Sequence, residues 1–141
     1  MSDVARSEKE ESFPFFVDWN EAQTVIDFAQ ALHIPDLGGK CLELFPFQMF
    51  LYTNVWAWKY KDNVERRRFR TCFIEIARKN SKTTSLLFPF ILYDSLTTAS
   101  AESYFVSASL EQAQKSFIEL SNIIKETPEL KDVYDCYSGA I

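Results

Sequence analysis

The sequence predicts an α/β fold: a parallel sheet flanked by helices and preceded by an α-helical N-terminal segment. Three observations carry this reading. From residue 70 onward the chain runs strand, loop, helix, strand, helix, the order that right-handed parallel crossovers produce. Glycine is scarce, with three residues, and phenylalanine is abundant, with thirteen, which argues against a loop-rich β-protein. At 141 residues, 47% of them hydrophobic, the chain fits one modest domain with a real core.

Residues 1–12, "MSDVARSEKEES", are small and charged and predict a flexible tail. Residues 13–40 predict an N-terminal helical segment. In it Asp18 with Glu21, or Asn20 with Gln23, supplies a capping box, and Ala22, Val25, Ile26, Ala29 and Leu32 recur at helical spacing. Pro35 and the Gly38-Gly39 pair then signal a turn. "CLELF" reads as a short strand, and Pro46 suits the first position of a helix through "FQMFLYTNVWAWKY", apolar nearly all round and so packed on several sides. "KDNVERRR" is a charged connection. "FRTCFIEIA" is a buried-strand candidate and "KTTSLLFPFILYDSL" a helix in which Pro89 is anomalous, because an interior proline removes a backbone hydrogen bond. "SYFVSA" is a second strand. The last helix is capped by Ser109 with Gln112, shows Leu110, Ala113, Phe117, Leu120 and Ile124 on one face, and is closed by Pro128.

Composition narrows the partners. The formal net charge is −5, so any DNA contact must be local rather than spread over the surface. Arg66, Arg67, Arg68 and Arg70 form either such a DNA-facing patch or a solvated loop face. The apolar runs are too short to cross a bilayer and no hydrophobic signal core opens the chain, which predicts a cytoplasmic protein. Cys41, Cys72 and Cys136 lie far apart without a CxxC pair and read as small buried hydrophobes. His33 reads as a capping or surface residue, and Asp94, Glu102 and Glu111 as ordinary loop or helix-end carboxylates.

The chemistry-bearing stretch is "IARKNSKTT", residues 76–84. It follows a predicted strand and opens a predicted helix, so free amides and the helix dipole would face a bound phosphate. Lys82 can reach terminal phosphates and Thr83 can offer its hydroxyl to Mg²⁺. The glycines of the common G-x-x-x-x-G-K-[ST] loop are missing, with Ile76 and Ser81 in their places. A basic turn capping a strand is the plain alternative.

"LFPFQMFLYTNVWAWKY", "RRRFRTCFIEIARKNSKTT" and "SYFVSASLEQA" together resemble the beginning of the ATPase domain of the large terminase subunit of tailed bacteriophages, over about residues 35 to 125. The resemblance implies a partial P-loop (RecA/ASCE-like) sheet and a DNA-packaging motor that uses ATP and Mg. It implies a variant phosphate loop made of Arg78, Lys79, Asn80, Ser81, Lys82, Thr83 and Thr84, with Thr83 as the Mg ligand. Arg78, four residues before Lys82, takes the place of the family's loop arginine and would be catalytic, stabilising charge on the transferred phosphoryl group. Gln48 would read adenine, and Phe45 or Phe47 would stack on it.

The family also uses an apolar strand ending in Asp-Glu, and a C-terminal nuclease. No four-residue apolar run followed by Asp-Glu occurs in the sequence. Residues 41–141 are therefore expected to be the front half of the ATPase domain, with ATP turnover by these residues alone in question. The expected partners are the rest of the terminase or another copy of the chain and, by the resemblance, the small subunit, the portal and double-stranded DNA in the host-cell cytoplasm. Two other readings compete: a non-enzymatic terminase-derived fragment that binds a partner chain, and another RecA-like hydrolase such as a helicase.

Overall fold

The computed structural model describes residues 2–136. The chain is mixed α/β and mostly helical. It divides into two compact units, one of residues 1–27 and 45–77, the other of residues 28–44 and 78–141.

In the first unit, Asp3–Lys9 form helix α1, whose N-cap Ser2 accepts from the Ala5 amide at 3.3 Å. Strand β1, Phe15–Val17, pairs antiparallel with β4, Trp58–Tyr60, in the register Phe15 to Tyr60, Phe16 to Lys59 and Val17 to Trp58. Helix α2, Trp19–Ala31, begins here. Its start is fixed by Asp18, whose Oδ1 accepts from the Asn20 and Glu21 amides, both at 3.1 Å, so Asp18 and not Asn20 is the cap. Helix α3, Pro46–Tyr52, has Pro46 in its first turn, where the missing N–H costs nothing. It passes into a π-helical turn, Thr53–Ala57, which delivers the chain to β4. The core gathers Phe13, Ala22, Val25, Tyr52, Trp56 and Trp58. Burial raises the Tyr52 hydroxyl pKa well above its usual value.

In the second unit, β2 (His33–Ile34) and β3 (Lys40–Cys41) form a small antiparallel hairpin. Its turn needs Gly38 and Gly39, whose φ values of 71° and 74° lie in the left-handed region. Helix α4 spans Phe88–Thr97 and α5 spans Leu110–Glu126. Ser109 caps α5 by accepting from the Gln112 amide at 3.3 Å. The buried Thr127 hydroxyl, just past α5, accepts from the His33 amide at 3.0 Å and ties the helix to the hairpin. The core here includes Leu32, Leu86, Phe88, Leu92, Ile123 and Ile124.

Four expectations meet a different structure. The helix through residues 47–60 stops early, because Trp58–Tyr60 finds a strand partner in Phe15–Val17. The only sheets among the described residues are the two antiparallel pairs, and no parallel pair is present. The segments expected as parallel strands, 69–77 and 103–108, run without ladder pairing, with Phe73, Tyr104 and Val106 strongly exposed. β-Propensity favours extended backbone, but a strand exists only when a neighbour completes the ladder. The cysteine reading is also corrected: Cys41 and Cys72 are exposed and Cys136 is half-buried. Cys41 sits on the fully exposed strand β3 and Cys72 in an unpaired segment, so neither has a core to enter.

No helix among the described residues is long and apolar enough to cross a membrane.

Candidate functional site

The stretch around Lys82 begins with backbone geometry unusual for its residues. Lys79 has φ 68° and Ser81 φ 49°, both left-handed and both without glycine's freedom. A Cβ in this region costs about 1–2 kcal/mol per residue. Alternation of left-handed and right-handed residues is how successive backbone amides come to point at one anion.

The far side of the loop is fastened to the helix that follows. The Ser81 carbonyl accepts from both the amide and the hydroxyl of Ser85, at 2.7 and 2.6 Å, and Ser85 is buried. Lys82 precedes a π-helical turn, Thr83–Leu87, closed by the Phe88 amide donating to the Thr83 carbonyl. This turn explains the anomalous Pro89. A proline ring collides with the carbonyl four residues back, here Ser85, and widening the preceding turn to π spacing lets the helix continue into α4.

Arg78, Lys79, Asn80, Ser81 and Lys82 are exposed, while Thr83 and Thr84 are half-buried. Arg78, Lys79 and Lys82 have no ion-pair partner among the described residues. Three uncommitted cations, two hydroxyls at a helix start and a left-handed loop fit a polyphosphate with its metal. A recess of about 30 Å³ reaches Thr84, beside Asp36, Phe88 and Glu119. The larger groove of the same unit, about 1100 Å³ between α4, residues 101–105 and α5, is lined by none of residues 78–84.

In the other unit, Gln48 is buried and its Oε1 accepts from the Phe45 amide at 2.8 Å, closing the first turn of α3. Phe45 and Phe47 are exposed and stack on each other, centroids 6.2 Å apart and planes within 10°. Trp56 and Trp58 are core.

Lys59 was not singled out by the sequence, yet its ammonium bridges Asp18 and Glu21, both at 3.1 Å. Burial alone would raise the Asp18 carboxyl, but the Glu21 amide and Lys59 outweigh it and hold the carboxyl below its ordinary value. Burial would likewise lower Lys59, and its two carboxylates raise it instead. Only the pairing of β1 with β4 brings these residues together, so no local signal could have found them. Ser85 had a weak signal, a hydroxyl four residues after Ser81 in a helix start.

A left-handed, cation-rich turn that opens a helix has the geometry that anion-binding loops use. Residues 46–136, well over half of the chain, match the family of the terminase large subunit, ATPase domain, and the chain belongs to that family. It is thus a portion of an ATPase of the DNA-packaging motor. No curated protein and no solved structure matches the chain.

Proposed function

We propose that this chain is the ATP-binding portion of a viral DNA-packaging motor, with the nucleotide held by residues 78–84 acting as a variant P-loop. The observation that supports it most is the left-handed backbone at Lys79 and Ser81. Strain of this kind persists where the surrounding structure enforces it, and it gathers at ligand-binding turns. Of the two, Ser81 stands where a common phosphate loop uses glycine.

In this reading the Lys82 ammonium meets the terminal phosphates and the Thr83 hydroxyl takes Mg²⁺. The loop amides from Lys79 to Thr84 line the phosphate chain, with Asn80 and Ser81 small enough for close approach. Arg78 stabilises the charge that develops during transfer. Bound Mg²⁺ would supply charge neutralisation between the outer phosphates. Gln48 as reader of adenine rests on its motif position alone. Activation of water calls for the carboxylate that the resemblance puts in an apolar-Asp-Glu strand, so turnover is not assigned to these residues alone.

The segments 69–77 and 103–108 are proposed as strands of the parallel sheet, with neighbouring strands from the rest of the terminase or another copy. The exposure of Phe73, Tyr104 and Val106, at 88%, 79% and 93%, supports association through them. The same exposure favours a second reading, a partner-binding terminase fragment indifferent to nucleotide. The small subunit, portal and host cytoplasm remain proposals from the family.

Calorimetric titration with Mg-ATP distinguishes the two. Wild type should bind, and Lys82→Ala should lose at least tenfold in affinity. Equal affinity, or no binding by either, would remove the nucleotide site and leave the partner-binding reading.

A further inference from the structure

A side-chain hydroxyl that donates to the carbonyl four residues back recurs along this chain. Thr24, Thr53, Thr97 and Ser121 do so at 2.8, 3.0, 2.7 and 2.9 Å, to the carbonyls of Asn20, Met49, Tyr93 and Phe117. None of those four acceptors has positive φ. Ser85 differs: its hydroxyl donates at 2.6 Å to Ser81, whose φ is 49°, and its amide donates to the same oxygen at 2.7 Å. Ser85 lies in the π-helical turn Thr83–Leu87 and is 1% exposed, so water does not compete for its hydroxyl.

Two donors on one carbonyl fix the plane of the peptide between Ser81 and Lys82. In a trans peptide the N–H points opposite to the C=O. The Ser81 carbonyl runs into the helix, so the Lys82 amide points out of its start, where the phosphate chain is proposed to lie. With one donor fewer this plane is held less firmly, and the unfavourable backbone at Ser81 is free to relax. Glycine would reach the left-handed conformation without strain. The helix here holds from outside a turn that the loop's own residues resist.

We infer that Ser85 is a positioning residue for nucleotide binding: from the core it holds Ser81 in the left-handed conformation and aims the Lys82 amide at the phosphates, without touching the ligand. This role rests on the reading of residues 78–84 as the nucleotide loop.

The test is calorimetric titration with Mg-ATP, at a temperature where circular dichroism shows each variant folded. Ser85→Ala should weaken binding about fivefold, the worth of one net hydrogen bond. Ser121→Ala is the matched control, because it deletes the same kind of bond from a buried serine inside α5, beside a groove that none of residues 78–84 lines. It should lower Tm as Ser85→Ala does and bind as wild type. Ser85→Thr keeps the hydroxyl and should keep the affinity, although its added methyl lowers Tm. Wild-type affinity in Ser85→Ala, an equal loss in Ser121→Ala, or a loss in folded Ser85→Thr as large as in Ser85→Ala overturns the role. Lys82→Ala separates this role from the site itself. If Lys82→Ala loses affinity while Ser85→Ala binds as wild type, the role of Ser85 alone fails; if Lys82→Ala equals wild type, or neither binds, the nucleotide loop fails and this role with it.

Discussion

Glycine placed at the two left-handed positions of the loop should stabilise this protein, although glycine usually does the opposite. At Lys79 and Ser81 the side chain forces a Cβ against the backbone, at about 1–2 kcal/mol each. Glycine removes that cost and returns about 0.5–1 kcal/mol as extra freedom of the unfolded chain. The net gain for Lys79→Gly with Ser81→Gly is about 1–2 kcal/mol, a rise in Tm of about 3–8 °C for a chain of this length. Asn80→Gly is the control: Asn80 is not among the positive-φ residues, so glycine there has no strain to relieve and should lower Tm slightly. Thermal melts by circular dichroism read all three. A double variant that melts at or below wild type, or a rise for Asn80→Gly as large as for Ser81→Gly, would refute the left-handed loop.

Other outcomes follow from the packing. Lys59→Ala removes the bridge to Asp18 and Glu21 and should cost about 1–2 kcal/mol in denaturant melts at neutral pH. Because the folded Asp18 value is depressed, its contribution is present above the unfolded carboxylate value and fades as pH falls through the lower folded value; because the folded Lys59 value is raised, its contribution fades as pH rises through it. The Lys59→Ala penalty should therefore shrink at both pH extremes, and a constant penalty would contradict the pairing. Ser85→Ala removes the hydroxyl bond to the Ser81 carbonyl and should cost about 1 kcal/mol, read by chemical denaturation. Tyr52 should stay un-ionised in alkaline ultraviolet titration until the protein unfolds, since burial raises its hydroxyl.

What was legible in the sequence was mostly local. Ser109 capping α5, Asp18 opening α2, Pro46 starting α3 and Gly38-Gly39 turning the hairpin each depend on residues within a few positions. Pairings across the chain were not legible. Trp58–Tyr60 continues an apolar helical pattern and becomes a strand because Phe15–Val17, some forty residues earlier, lies beside it. The reverse holds for residues 69–77 and 103–108, where strand-like composition has no ladder partner among the described residues.

At the candidate site, the order of residues in "ARKNSKTT" pointed to a phosphate loop and the family match supports a terminase ATPase. The left-handed turns were hidden, because glycine is the usual sign of positive φ and none is present. The stacking of Arg66, Arg67 and Arg68 on Tyr60, Trp56 and Trp58 was equally hidden, since it depends on the ribbon register.

Hydrogen exchange of the backbone amides of residues 79–82, followed with and without Mg-ATP, tests the nucleotide loop most directly. These exposed amides should slow at least tenfold with Mg-ATP in wild type and stay fast in Lys82→Ala. Unchanged exchange in wild type at saturating Mg-ATP, or equal slowing in both proteins, would contradict nucleotide binding at this loop.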